Sequence, residues 1–213
     1  LTKNVTARRT RSRIETVLNY AIVKKYMPAP NPAVWQGNLS ALLPSLPKDL
    51  GANHMPALQL KDVHRWWLEL QNRNGTGANA LKMLILTGAR SGEVRGMTWD
   101  EIHVFNEEEA QRRGYFGIWQ IPARRMKSRR DHRVPLTHEM IGLIRGNNER
   151  DGLIFPSSKG TPISDMTMSA LMKRMHKSDS IGFVDAKSNK PTVPHGLRST
   201  FRDWVAENNQ SRE

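Results

Sequence analysis

Apolar residues recur at helical spacing near the start of the chain. Ile14, Val17, Leu18, Ala21 and Ile22 predict an amphipathic helix over residues 6–26. Pro28, Pro30 and Pro32 then stop it, because proline lacks the amide donor and clashes with the preceding turn. A shorter helical piece is expected over 35–43. The stretch 43–55, with Pro44, Pro47 and Gly51, reads as a linker and marks a domain boundary.

From Leu58 the helical period returns through Leu60, Val63, Trp66, Trp67 and Leu70, until Asn74-Gly75-Thr76-Gly77 breaks it. Residues 78–87 are almost wholly apolar in their later half and predict a buried helix. The polar interruption 88–93 leads to another short helix ending near Trp99. Between Ile102 and Leu136 the period changes. Residues 116–121 and 133–136 predict two strands around a basic turn. Thr137 is placed to cap a helix that turns Ile141 and Ile144 inward, and Ser164 to cap one over 164–176 that buries Met168, Leu171 and Met172. A last helix over 195–208 carries Phe201, Trp204 and Val205 on one side. The expected fold class is mainly α with a small antiparallel β-meander (α+β).

Charge changes the picture more than length does. The 213 residues hold 33 Lys+Arg against 20 Asp+Glu, a formal charge of +13. On a folded chain with 38% hydrophobic residues and six Trp, that excess points to a polyanionic partner, most often nucleic acid. A solvated basic surface is the plainer alternative. The sequence has no Cys, which excludes disulfide scaffolds, thiolate metal sites and cysteine nucleophiles. It shows no apolar run of membrane-spanning length and no signal-peptide pattern, so the expectation is a cytoplasmic protein with no membrane partner.

Two basic clusters stand out as phosphate contacts. One is Arg8, Arg9, Arg11 and Arg13 at the start of the first helix. The other is the turn 124–133, where Arg124, Arg125, Lys127, Arg129, Arg130 and Arg133 face only Asp131. Such a turn could equally keep a sheet edge soluble. Arg90 follows the buried helix within Thr87-Gly88-Ala89-Arg90-Ser91-Gly92-Glu93. It is either an exposed arginine after a C-capping glycine or a cation held toward a cleft. His195 and Arg198, at i and i+3, are expected on one helical face, where they could grip one phosphate.

The order of these three groups carries more than any one of them. The Thr-Gly-x-Arg-x-Gly-Glu run is followed by Thr98-Trp99-Asp100-Glu101-Ile102. Next come Ile121-Pro122-Ala123-Arg124-Arg125-Met126-Lys127 and His132-Arg133-Val134-Pro135-Leu136, then Pro194-His195-Gly196-Leu197-Arg198-Ser199-Thr200-Phe201. This arrangement resembles the catalytic domain of tyrosine recombinases, the lambda-type phage-integrase family, and within it the prophage and genomic-island subgroup.

The resemblance implies a catalytic domain over 56–213, a linker over 46–55, and over 1–45 the later part of a helical core-binding domain that clamps DNA. It implies that Arg90 and Arg198 hold the scissile phosphate and neutralise the charge of its pentacoordinate transition state. Lys127 would protonate the departing 5′ oxygen as general acid, His195 would donate to the phosphate, and Glu93 would orient Arg90. No metal and no other cofactor is implied. The partner is double-stranded DNA, with tetramer assembly in the full-length protein. The family's nucleophile is a tyrosine after the His-x-x-Arg box. Here Tyr20, Tyr26 and Tyr115 all precede it, so no nucleophile is assigned, both ends are expected to be truncated, and the 213 residues are expected to bind DNA without cleaving it. Two other readings stand beside this one. The first is a non-catalytic DNA-binding accessory protein or degenerate integrase relic, and the second is a type IB topoisomerase.

Overall fold

The computed structural model describes residues 4–43, 55–145 and 151–208. The chain divides into two compact units, Leu1–Asn53 and His54–Glu213. The predicted linker lies almost wholly outside the described residues.

In the first unit α1 spans Asn4–Val23, three residues short of the predicted end. Ile14 and Val17 remain exposed on it, while Leu18, Ala21 and Ile22 are half-buried. The chain folds back through Asn31, whose buried amide donates to the Glu15 carbonyl (2.9 Å) and to Asn19 Oδ1 (2.7 Å). The helix expected over 35–43 is broken. A wide turn over Trp35–Leu39 carries Gly37 at φ +78°, and only the single turn α2 (Ser40–Leu42) follows. A left-handed glycine inside a helical pattern interrupts it whatever its neighbours prefer.

The second unit is built on α4 (Thr76–Thr87), whose Ala80, Leu81, Met83 and Leu84 are all buried, as its apolar run required. Around it lie α3 (Val63–Gln71), α7 (His138–Arg145), α8 (Asp165–Ser178) and α9 (Leu197–Asn208). Both predicted caps are present. Thr137 Oγ1 accepts the Met140 amide at 3.3 Å, and Ser164 Oγ accepts that of Met166 at 3.2 Å.

The meander has three strands, β1 (Ile102–Val104), β2 (Gly117–Ile121) and β3 (His132–Leu136), paired antiparallel in that order. Trp119 faces Ile102 on one side and Val134 on the other, and with Ile121 and Leu136 it is fully buried. Between β1 and β2 lies α6 (Glu107–Arg113), an element the apolar period did not reveal. Its signal is electrostatic. Asn106 caps it, Glu107, Glu108 and Glu109 fill the first turn, and Arg112 and Arg113 the last, each sign matching the helix dipole.

Candidate functional site

The end of α4 sets the site. Gly88 adopts the left-handed conformation (φ +60°) and terminates the helix, so the C-capping role expected of it holds. Arg90 is not a stray surface residue beyond that cap. It is itself the N-cap of α5 (Ser91–Arg95). The carboxylate of Glu93 reaches back to it twice, accepting the Arg90 amide at Oε2 (2.7 Å) and its Nη1 at Oε1 (2.6 Å). Glu93 is buried at 6% exposure, whereas the Arg90 side chain remains 39% exposed. One edge of the guanidinium is therefore fixed and the remainder faces outward.

Arg198, in the first turn of α9, donates from Nη1 to the Gly88 carbonyl at 2.6 Å, tying α9 to the same bend. Burial pushes its pKa below the ordinary arginine value, and the neighbouring charge of Arg90 adds to the effect. The guanidinium stays protonated regardless. The two arginine charges are thus close enough to act on each other, and the Glu93 carboxylate that is also felt at Arg198 is bonded to Arg90.

His195 does not share a helical face with Arg198, as the spacing suggested. It lies exposed in the turn before α9, and its carbonyl accepts the Arg198 amide at 3.4 Å. Gly196 in that turn passes so close to Pro56 that a Cβ there would stand 1.9 Å from the Pro56 carbonyl oxygen. His195 and Arg198 nevertheless line one cleft of about 470 Å³ with Gly88, Phe201, Arg202 and Val205.

Lys127 lies in the loop between β2 and β3, exposed and without a hydrogen bond or ion pair to Arg90, Glu93, His195 or Arg198. Asp131 Oδ1 accepts the Ala123 amide at 2.7 Å and closes the base of that loop. Arg124, Arg129 and Arg130 are exposed on it. Arg125 corrects the expectation of a phosphate contact, since its guanidinium turns inward onto Glu101 and the main-chain carbonyl of Glu93. In the first unit Arg8, Arg9 and Arg13 are exposed. Arg11 is a second correction. It is spent on Glu15, on the Ala33 carbonyl (2.8 Å) and on the face of Trp35.

No group of His, Cys, Asp or Glu among the described residues is arranged to hold a metal ion, and no described helix is long and apolar enough to cross a membrane. Tyr20 and Tyr26 are exposed in the first unit, and Tyr115 packs near Phe105; none lines the cleft.

The family model described as phage integrase family matches residues 63–212. Prophage integrase IntA of Escherichia coli K12 is 37% identical over 123 residues, covering 54% of this chain and 24% of IntA. The integrase of enterobacteria phage P4 is 25% identical over 224 residues, covering 96% of this chain and 45% of its own. The chain therefore spans less than half the length of these relatives. Among solved structures, a lambda integrase (75–356) dimer bound to a COC′ core site superposes with a TM-score of 0.66 at 17% identity, covering 98% of this chain and 66% of that one. A Tn1549 transposon integrase (82–397) in complex with circular intermediate DNA gives 0.56 at 16%, covering 96% and 67%. At these identities the structural likeness concerns the fold.

Proposed function

The chain belongs to the phage integrase family of tyrosine recombinases, and from that premise we propose that His54–Glu213 carries the phosphate-holding half of a site for DNA strand exchange. In this reading the full-length protein integrates or excises a mobile element in the cytoplasm by metal-free transesterification through a 3′-phosphotyrosyl intermediate. Arg90 and Arg198 bind the scissile phosphate, Glu93 orients Arg90, His195 donates to the phosphate, and Lys127 protonates the leaving 5′ oxygen. The first unit contributes the later part of a DNA-clamping domain, and copies assemble as a tetramer on the DNA.

The observation that carries this reading is the convergence of Arg90 and Arg198 on the Gly88 bend, with one buried carboxylate holding Arg90 by both amide and side chain. A protein that merely binds DNA needs exposed cations. It does not need a half-buried pair preset against each other. That argues against an accessory protein or a decayed relic.

Two tests follow. Offered a nicked suicide duplex that traps cleavage, these 213 residues are expected to bind it yet form no covalent adduct, because no tyrosine follows the His-x-x-Arg box. An adduct mapped to Tyr20, Tyr26 or Tyr115 would sink that assignment. Salt dependence tests the contacts of the first unit. Arg9→Gln is expected to flatten the slope of log Kobs against log salt by about 0.9, the value for one lost phosphate contact on duplex DNA. Arg11→Gln should leave the slope unchanged, since that charge is already spent on Glu15 and the Ala33 carbonyl. Equal slopes for the wild type and the Arg9 variant would remove α1 from the interface.

A further inference from the structure

Arg125 is 19% exposed at its side chain, and Glu101, which it meets, is 4% exposed. Arg125 Nη1 donates to both carboxylate oxygens of Glu101, while the buried Trp119 indole donates to Glu101 Oε2 at 3.0 Å. Arg125 Nη2 donates to the Glu93 carbonyl in the last turn of α5. That carbonyl belongs to the set a helix terminus leaves without an intrahelical partner, and a cation there also suits the helix dipole. Gly96 keeps the approach open, because a Cβ at that position would sit 2.9 Å from Nη2.

We infer that Arg125 is a positioning residue, clamping the β2–β3 loop to α5 so that Lys127 is held at a fixed reach from the Arg90–Glu93 pair. The inference rests on the phosphate site proposed above and adds a part to it. Glu93 is gripped at both ends, its carboxylate by Arg90 and its carbonyl by Arg125. Lys127 is two residues beyond Arg125, so their Cα atoms are at most about 7 Å apart. Anchoring Arg125 therefore limits where the Lys127 side chain can start. The forked guanidinium is what the role requires, since one ammonium cannot serve a carboxylate on one side and a carbonyl on the other with the same geometry.

The test reads Lys127 directly, by mass spectrometry of amine acetylation with and without duplex DNA. At DNA about ten times above Kd, mass action predicts roughly tenfold protection of a contacting amine in the wild type. Arg125→Lys keeps the charge but loses the fork. It is expected to bind DNA within about twofold of wild type while Lys127 protection falls below about twofold. Arg125→Met combined with Glu101→Gln leaves no unpaired buried charge, so it keeps the experiment readable if the single variant unfolds, and the same loss is expected. Undiminished protection in either folded variant would overturn the inference and leave Arg125 a stabilising residue or a simple phosphate contact. Failure of the wild type to bind duplex DNA would instead overturn the proposed function, and this inference with it.

Discussion

Gly196→Ala is expected to lower the melting temperature of the second unit by roughly 6–12 °C, corresponding to about 3 kcal/mol at this chain length. The added Cβ would stand 1.9 Å from the Pro56 carbonyl oxygen, 2.6 Å from its carbon and 2.9 Å from the Ala57 Cα. All three are backbone atoms, so no side chain can swing aside. Nor is that segment free to retreat. Pro56 O accepts the Val193 amide (3.2 Å), Ala57 N donates to Asp185 Oδ1 (3.3 Å), and Leu58 O accepts the Thr200 hydroxyl (2.8 Å). Relief must break one of these contacts or move the turn that carries His195 into α9. DNA binding should weaken along with stability. Gly142→Ala is the control, because nothing lies within 4 Å of a Cβ there and its helix should gain slightly. Thermal melting followed by circular dichroism decides it. A Gly196→Ala variant melting within about 2 °C of wild type would show that the turn has slack.

That glycine also shows where sequence reasoning stops. Helical spacing of apolar residues located α3, α8 and α9, with the Ser164 cap marking the start of α8; a nearly continuous apolar run located α4, and the change of period around the basic turn located β2 and β3. The motif order singled out Arg90, Glu93, His195 and Arg198, and the fold brings them to one bend and one cleft. The local geometry of His195 was not legible. The spacing i, i+3 presupposes a helix, and α9 begins only at Leu197, after a turn in which Gly196 passes too close to Pro56, 140 residues away in sequence, for any side chain to fit. Arg125 and Arg11 were misread for a related reason. Composition counts every arginine in a basic run as surface charge, yet a carboxylate far off in sequence (Glu101) or a turn of helix away (Glu15) can claim it. Of the basic residues singled out as phosphate contacts, Arg8, Arg9, Arg13, Arg124, Arg129, Arg130 and Arg133 are exposed together with Lys127, whereas Arg11 and Arg125 are already engaged inside the protein.

Under the proposed function, Arg198→Ala in a protein that also carries the cleaving tyrosine is expected to slow cleavage of the scissile strand by about 10²–10³-fold at saturating DNA, the usual loss for one preset charge-stabilising donor. Burial and the charge of Arg90 both disfavour the cation, as its lowered pKa records, yet the Gly88 carbonyl holds it there at 2.6 Å. That unfavourable crowding is relieved most when negative charge is greatest, at the pentacoordinate phosphate, so the interaction grows between ground state and transition state. Affinity for DNA should change far less, by under about tenfold, because duplex binding is spread over many phosphate contacts. Arg198→Lys is expected to recover little, since an ammonium that keeps the bond to Gly88 has no second, parallel donor to offer the phosphate. Single-turnover cleavage measured beside DNA affinity separates the two accounts. If Arg198 only anchored DNA, the loss would appear in Kd and vanish at saturation; a rate unchanged at saturating DNA would take Arg198 out of the chemistry and leave it a binding residue.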